Sequence, residues 1–243
     1  MTVKPATFRV CSYNIHKGFS ASNRRFLLDD MRDAIRSVNA DLCFLQEVRG
    51  EDLHPDTVRE SNQFEFLADS VWPHSAYGHN AIYQQGHHGN AILSKYPFTR
   101  VRNYDVSQWF FSQRGVLLGH TDNDMYLACV HMGLLASERQ HQTTALIRLI
   151  EEHVPGDAPL IIAGDFNDMR LATDKALKPT LRLEEVTSTV FGRTKRTFPS
   201  QMPILPMDRI YYRNVECIDA SVMTGNPWKK LSDHCALTAT FRF

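Results

Sequence analysis

Short apolar runs recur along the chain, separated by polar and turn-forming segments. Most of these runs are rich in β-branched or aromatic residues and too short for helices, so they predict strands. The predicted strands are residues 8–13, 41–45, 91–93, 116–119, 125–130, 160–163, 209–212 and 236–241. The Pro-spaced stretch 198–206 predicts a loop within the same domain.

Two longer segments have the periodicity of amphipathic helices. The first covers about residues 24–38, with Leu27, Met31, Ala34, Ile35 and Val38 on one face. In the second, Ser137 and Gln140 predict a capping box, and Pro155 and Gly156 predict the end of the helix. Its apolar stripe is Leu146, Leu149, Ile150 and Val154.

The strands outnumber the helices and do not alternate strictly with them, which favours two packed, mixed or largely antiparallel sheets with helices outside. We therefore expect an α/β layered sandwich. No repeat, low-complexity tract or Gly/Ser linker interrupts the 243 residues, so a single domain is predicted over 1–243.

Charge and cysteine content narrow the choice of partners and compartment. The 27 Lys and Arg balance the 27 Asp and Glu, so no net field draws the protein to nucleic acid or an anionic membrane. The five cysteines lack metal-type spacing and are predicted to be reduced thiols, mostly in core strands. With no signal-like or membrane-spanning apolar stretch, we expect a cytoplasmic protein, and no protein partner is predicted.

Polar residues with catalytic potential stand directly after the apolar strands. They are Asn14 after RVCSY, Gln46 and Glu47 after LCFL, His131 after YLACV, and Asp165 and Asn167 after LIIAG. Because strand ends form a rigid rim, side chains from several strands can converge there on one cleft. The pattern therefore predicts one site.

Glu47 is the strongest candidate for a metal ligand, because a carboxylate at the end of a buried strand is costly without a cation or a donor. The alternative is an ion pair with Arg49. Asp165 and Asn167 should lie on one side of the chain, with Phe166 pointing into the core. Alone, GDFN is more typical of an Asx turn leaving a strand, and the neighbouring candidate residues are what favour a site.

Asp208 and His234 form a candidate acid–base dyad near the last strands, since a carboxylate can orient an imidazole. The alternative is a hydrogen-bonded structural histidine, and we assign His54, His74, His79 and His153 to that class. No Ser or Cys nucleophile is framed by these groups. Metal-assisted attack by water is therefore the expected mechanism.

Seven segments, in this order and spacing, resemble the endonuclease/exonuclease/phosphatase superfamily. They are SYNIHKG, LQEV, GNAILSKYP, VHMGL, AGDFN, MDRIYY and LSDH, and they span Ser12 to His234. The resemblance implies a DNase I-like four-layer sandwich, with two central mixed β-sheets flanked by helices. GNAILSKYP resembles the sphingomyelinase-like branch and small bacterial members.

The resemblance also implies roles for individual residues. Glu47 would be the principal Mg²⁺ ligand, with Mn²⁺ as the alternative ion, and Asn14 and Asp233 would lie close to the metal or phosphate. Asp165 and Asn167 would position the water and the phosphate.

His234, held by Asp208, would be the base or would polarise the phosphate, and His131 would contact a phosphoryl oxygen or assist the leaving group. Which residue takes the proton of the water stays open. Asn90, His88 and Arg114 are candidate contacts to the substrate, and surface hydrogen bonding is the alternative for His88, its neighbour His87 and Arg114.

Two residues depart from the abasic-site endonucleases: His16 stands where those enzymes carry an acid, and His131 stands where they carry Tyr. We therefore expect a phosphodiesterase acting on a small or lipid phosphate ester. A nuclease is the alternative, with basic and aromatic residues as its contacts: Arg193, Lys195, Arg196, Trp228, Lys229 and Lys230. A scaffold that has lost its chemistry would need a broken site, and no core position is missing.

Three adjacent aromatic residues, Trp109, Phe110 and Phe111, have two interpretations. They suit a loop that touches membrane or stacks on bases, but such runs are more typical of core strands. We expect them in the core.

Overall fold

A computed structural model describes residues 6–22, 25–50, 63–68, 72–83 and 86–243. Within these residues the strands form two six-stranded sheets, in the orders β11-β12-β1-β2-β4-β3 and β5-β6-β7-β8-β10-β9. The first contains β1 (Thr7–Asn14), β2 (Leu42–Arg49), β3 (His74–Tyr83), β4 (Gly86–Ser94), β11 (Glu216–Val222) and β12 (Leu237–Arg242). The second contains β5 (Phe98–Asp105), β6 (Gly115–Thr121), β7 (Tyr126–His131), β8 (Leu160–Asp165), β9 (Glu184–Glu185) and β10 (Asp208–Arg213).

Each sheet is mixed, because it contains one parallel pair among antiparallel neighbours. The parallel pairs are β1 with β2 and β7 with β8. All eight predicted strands overlap observed ones, and the predicted fold class is confirmed. The four strands that the pattern did not predict are β3, β5, β9 and β11.

The helices lie outside the two sheets. They are α1 (Leu28–Ser37), α2 (Gln63–Leu67), α3 (Ala136–His153), α4 (Ala172–Leu181), α5 (Val186–Phe191) and α6 (Trp228–Leu231), with a short 3-10 turn at His16–Gly18. The first helix begins at Leu28, and Arg24, where we expected it to begin, lies outside the described residues. No helix in the described ranges has the length and apolarity to cross a membrane.

Side chains that alternate along the central strands build the four layers. Val10 and Phe44 pack between the sheets with Ile161 of the other sheet. Their neighbours Cys11 and Cys43 face α1 instead. On the far side of the second sheet, α3 and α4 cover β6, β7 and β8. Cys11, Cys43, Cys129 and Cys235 are buried free thiols, and Cys217 is half-buried on β11.

The predicted capping box is wrong. Helix α3 begins one residue before Ser137, and Leu135 occupies the N-cap position without a side-chain hydrogen bond. The exposed Ser137 side chain therefore caps nothing. The end was predicted correctly, since the helix stops at His153, two residues before Pro155.

The core placement of the three aromatics is also wrong. Trp109, Phe110 and Phe111 are 42%, 90% and 65% exposed. They lie between β5 and β6 in a turn closed by the hydrogen bond from Ser112 N to Trp109 O. A turn has no second layer over its tip, so the apolar run gains no burial.

Candidate active site

The register of the second sheet lines up three of the expected site residues. His131 at the end of β7 pairs with Asp165 at the end of β8, and Asp165 pairs with Asp208 at the start of β10. In the first sheet, Asn14 at the end of β1 pairs with Gln46 of β2. The Asn14 amide then donates to Oδ2 of Asp165 at 3.1 Å, joining the two sheets.

Glu47 is directed by an irregularity in its strand. The register of β2 against β4 shifts between Leu45 and Val48, and Glu47 has a φ of +57°, where residues other than Gly are uncommon. Such bulges re-aim side chains beside active sites. The Oε2 atom is buried, has no hydrogen-bond donor among the described residues, and lies 3.6 Å from Nζ of Lys17. Within the described ranges, Glu47 is ion-paired with Lys17 and not with Arg49.

Glu47 is ionised. Burial has the largest effect and alone would raise the pKa of this carboxyl. Nearby basic groups outweigh it together and lower the pKa to about 2; in order of decreasing effect they are His131, Lys17, His16 and His88. Burial, followed by Arg114, lowers the pKa of His131 to about 3. Because His131 is then neutral at neutral pH, Lys17 is the cation that balances Glu47.

Asp165 is almost fully buried, and its two oxygens have different surroundings. Oδ1 accepts a hydrogen bond from the backbone N–H of Asn167 at 2.9 Å, so the Asx turn does form. Oδ2 lies 3.5 Å from Nε2 of His131 and 3.7 Å from Nε2 of His234. Burial raises the pKa of this carboxyl well above its usual range, against the opposing charge of His234. Phe166 is buried in the core, as expected.

His234 lies between two carboxylates. Its Nδ1 is 2.9 Å from Oδ2 of Asp208, and its Nε2 faces Asp165. Burial alone would lower the pKa of this imidazole, but Asp208 and then Asp165 raise it to about 10. His234 is therefore an imidazolium at neutral pH and donates a hydrogen bond to Asp208.

A cleft of about 380 Å³ opens over these groups. Its wall contains eight of the predicted residues: Glu47, His88, Arg114, His131, Asp165, Asn167, Asp233 and His234. Asn14 and Asp208 lie directly behind that wall, bonded to Asp165 and His234. Burial, followed by Lys17, lowers the pKa of His88 to about 4, so this wall residue is neutral.

Asn90 lies apart from the cleft. Its amide donates to Gly115 O at 3.0 Å and to Cys129 O at 3.2 Å, so it bridges the two sheets from the interior. His87 is also directed elsewhere, since Nδ1 is 3.0 Å from the hydroxyl of Tyr77 and its ring stacks on His79. His54, expected to be structural, lies outside the described residues.

Sequence reasoning missed several residues of the wall and its support. Lys17, Phe111, Leu134, Phe198 and Met207 all line the cleft. Ser232 is a positioning residue behind it: its hydroxyl donates to Asn14 O at 2.7 Å and accepts from His234 N at 3.2 Å. Lys17 and Ser232 stand inside the motifs SYNIHKG and LSDH, beside residues whose roles the sequence does predict.

The candidate nucleic-acid contacts lie elsewhere. Arg193, Lys195 and Arg196 line a separate cavity of about 590 Å³. Trp228 is buried, with its ring edge-on to Tyr13, so its face is closed to a base.

Comparison with known proteins gives concordant matches. The Endonuclease/Exonuclease/phosphatase family model matches residues 11–234. The uncharacterized protein YbhP of Escherichia coli strain K12 is 43% identical over 242 residues, covering 96% of this chain and 95% of YbhP.

Two solved structures share the fold. The endonuclease/exonuclease/phosphatase from Bacteroides vulgatus matches with a TM-score of 0.77 at 17% identity, over 98% of this chain and all of that one. TDP2 of D. rerio, complexed with a single-strand DNA product, matches with a TM-score of 0.69 at 15% identity, over 98% of this chain and 100% of its own. At these identities the likeness shows the architecture alone.

Proposed function

The chain belongs to the endonuclease/exonuclease/phosphatase family, and from this membership we propose that it is a Mg²⁺-dependent phosphodiesterase acting on a small or lipid phosphodiester. Members of the family are typically hydrolases of phosphate esters. One observation carries the proposal. An ionised Glu47 shares one cleft with His131 and Asp165, whose strand positions are paired, and with the imidazolium of His234 that Asp208 holds.

The residues around Glu47 fit a hard divalent cation. Mg²⁺ prefers oxygen ligands, and Oε2 of Glu47 is a buried carboxylate oxygen to which no group in the described part of the chain donates a hydrogen bond. Asn14 and Asp233 would share the ion with Glu47. Bound there, Mg²⁺, or Mn²⁺ in its place, would neutralise the charge that develops on the phosphate oxygens.

A second group of ligand-capable atoms fits a cation less well. Atoms of Asp165, Asp208 and His234 lie within 4.8 Å of one another. However, His234 is itself a cation between those carboxylates, so the charge of the cluster is already largely compensated. Lys17 also lies beside Glu47, but its side chain is partly exposed and can turn to solvent when an ion binds, whereas His234 is buried between its carboxylates. We assign the metal to Glu47 for this reason.

The protonation states of His234, Asp165 and His131 support the remaining roles. His234 already carries a proton at neutral pH, so it cannot accept one from water and acts as a donor to a phosphate oxygen. Asp165, with its raised pKa, orients the attacking water together with Asn167 and takes its proton. The neutral His131 contacts a phosphoryl oxygen or the leaving group.

The preference for a small or lipid substrate rests on size and charge. A cleft of about 380 Å³ suits a head-group-sized ligand. The formal net charge is zero. Lys17, Arg114 and the His234 imidazolium provide the positive charge at the cleft itself, enough for one phosphate group but short of a track for a polyanion.

A nuclease is the second candidate, because the D. rerio TDP2 structure with a single-strand DNA product shares the fold. The cationic cavity of Arg193, Lys195 and Arg196 is the surface such a substrate would use. The binding constant there should fall steeply as the salt concentration rises. Each neutralised phosphate steepens the slope of log binding constant against log salt concentration by roughly 0.7–0.9.

The test is a hydrolysis panel with metal-depleted protein, with and without Mg²⁺ or Mn²⁺. The substrates are a soluble aryl phosphodiester, phospholipids, sphingomyelin, phosphoinositides, single-stranded DNA, duplex DNA and RNA, each across a salt series. Restoration of diester or lipid hydrolysis by the ion supports the proposal. Hydrolysis that survives chelation would contradict the metal, and nucleic-acid cleavage without lipid or small-diester turnover would establish the nuclease.

Glu47→Gln tests the assignment of the ion. The variant should need a much higher Mg²⁺ concentration for activity and should bind Mn²⁺ more weakly by electron paramagnetic resonance. Glu216→Gln is the matched control, since Glu216 is exposed and paired with Arg242. Unchanged Mn²⁺ affinity in Glu47→Gln would remove Glu47 from the metal site.

A further inference from the structure

We infer that the mouth of the cleft contacts a lipid bilayer through an apolar rim made of Trp109, Phe110, Phe111, Leu134 and Leu135. The inference rests on the proposed function and specifies where its substrate resides. The two most exposed large apolar side chains among the described residues are Phe110 at 90% and Leu134 at 73%, and both belong to the rim. Clustered apolar exposure of this kind marks an interaction surface.

The aromatic half of the rim is rigid. The turn is closed by the bond from Ser112 N to Trp109 O, and its base is tied by Val106 N to Arg114 O and by Arg114 N to the Ser107 hydroxyl. The rings of Trp109 and Phe111 lie parallel, 6.1 Å apart. Phe110 is therefore held away from the core by the backbone.

The leucine half is tied down separately. The Gly133 N–H donates to the side chain of Gln142 at 2.8 Å, and the Arg139 guanidinium donates to the carbonyl of Leu134. These bonds hold the loop at the start of α3. Leu134 and Leu135, at 73% and 52% exposure, consequently project into solvent.

The rim is continuous with the site. Phe111 and Leu134 each line the cleft that also contains Lys17, Arg114 and Glu47. Apolar side chains at the mouth and cations within match the order of groups in a membrane phospholipid, whose acyl chains lie beyond its phosphate. A protein inserted by the rim would bring the head-group phosphate to the cleft.

Other occupants fit the rim less well. Nucleic-acid bases stack on aromatic faces, but Leu134 and Leu135 offer none, and no Lys or Arg belongs to the rim to follow a phosphate backbone. A second copy of the chain seated on the rim would cover Phe111 and Leu134 and so close the cleft to substrate. Trp, Phe and Leu are the residues of interfacial apolar faces.

The test is co-sedimentation of the full chain with phosphatidylcholine vesicles, without added metal, at low and high salt. Wild type should bind, and binding should change little with salt because it is apolar. Phe110→Ser should weaken binding about tenfold, since losing roughly 1.4 kcal/mol of apolar burial is a tenfold change. Phe110→Ser combined with Leu135→Ser should abolish it, and the variants' melting temperatures report whether they remain folded.

Ile218→Ser is the matched control, because Ile218 is 41% exposed on the edge strand β11. It should bind vesicles as wild type does. Lack of binding by wild type, or equal loss in the control, would overturn the inference. If Phe110→Ser instead lost single-stranded DNA binding or dimer formation and still bound vesicles, the rim would be a contact for nucleic acid or for a second copy. Either result would also overturn the inference.

Because the readout needs neither metal nor turnover, it separates the two proposals. Vesicle binding without any hydrolysis would contradict the proposed function and leave the rim standing. Metal-dependent hydrolysis of the soluble diester without vesicle binding would support the proposed function and overturn the inference about the rim.

Discussion

One oxygen atom, Oδ2 of Asp165, brings together the polar groups of the cleft. The Asn14 amide, the His131 imidazole and the His234 imidazolium all lie within 3.7 Å of it. Because these groups come from separate strands and loops, the position of this atom depends on all of them. The charge on Asp165 is therefore the most informative single change.

Asp165→Asn keeps the shape of the side chain and removes its charge. We expect the rate of hydrolysis to fall by about 10²–10³, the usual cost of losing one transition-state contact, or further if the residue is the base. The melting temperature should stay close to that of wild type. Asp219→Asn, an exposed change on β11, is the control, and full activity in Asp165→Asn would remove the residue from the mechanism.

Asp208→Asn should change how stability depends on pH. The pKa of His234 is raised to about 10 in the folded protein, so its contribution to stability is complete below its ordinary pKa of about 6.5 and is lost as the pH rises through about 10. The difference in free energy of unfolding between wild type and Asp208→Asn should shrink over that window. Urea denaturation of metal-free protein measures it, and a difference independent of pH would contradict the ion pair.

At the scale of the strands, the parallel pair β7 and β8 depends on Gly164. This residue has a φ of +150°, and an added Cβ would lie 1.9 Å from the carbonyl oxygen of Val130 on the neighbouring strand. A side chain would thus separate the two strands next to the His131 and Asp165 pair. The close approach explains the Gly in AGDFN.

Gly164→Ala should lower the free energy of unfolding by more than about 2 kcal/mol and reduce activity. Gly192→Ala is the matched control, because Gly192 also has a positive φ, of +71°, but an added Cβ would meet nothing within 4 Å. The control should cost only about 1 kcal/mol. If chemical denaturation gave equal losses of unfolding free energy for the two variants, backbone strain and not the clash with Val130 would explain the effect of Gly164→Ala.

The sequence predicted the sheet interiors and missed the sheet edges. The four unpredicted strands, β3, β5, β9 and β11, are the outermost strands of the two sheets. An edge strand is only partly covered, so it lacks a strong apolar pattern: FTRVRNYD of β5 has no buried residue. The central strands were readable because both of their faces are covered.

The same contrast holds for the site. Residues at the ends of central strands, such as Glu47 and Asp165, could be proposed because a polar group there interrupts an apolar run. Phe110 and Leu134 could not be assigned to the surface, because an apolar residue in the sequence does not show whether a second layer of structure covers its side chain. The interior position of Asn90 was equally hidden, since a polar residue that ties two sheets together looks like one that faces a substrate.

At the scale of the whole molecule, the site is divided between the two sheets. Asn14 and Glu47 belong to the first, and His131, Asp165 and Asp208 belong to the second. A ligand held by both halves binds only when the sheets are packed together, so it stabilises the packed state by mass action.

Mg²⁺ is assigned to Asn14, Glu47 and Asp233, which come together only in the folded chain. It should raise the melting temperature, with about 2.7 kcal/mol of stabilisation at a hundredfold excess over its dissociation constant. Differential scanning calorimetry with Mg²⁺ and with a chelator measures the effect. The shift should vanish in Glu47→Gln and persist in Glu216→Gln. A shift of wild-type size in Glu47→Gln would place the stabilising ion elsewhere.

The pairing of β1 with β12 has a consequence during biosynthesis. The strand that ends at Asn14 gains its antiparallel partner, β12, only when residues through Arg242 have left the ribosome, and the Ser232 hydroxyl that holds Asn14 arrives with them. At about 5–20 residues per second, the interval between the two strands is on the order of tens of seconds. Throughout that time the nascent chain has Glu47 without Asp233 or His234. The candidate site is thus incomplete until the segment through Arg242 has left the ribosome.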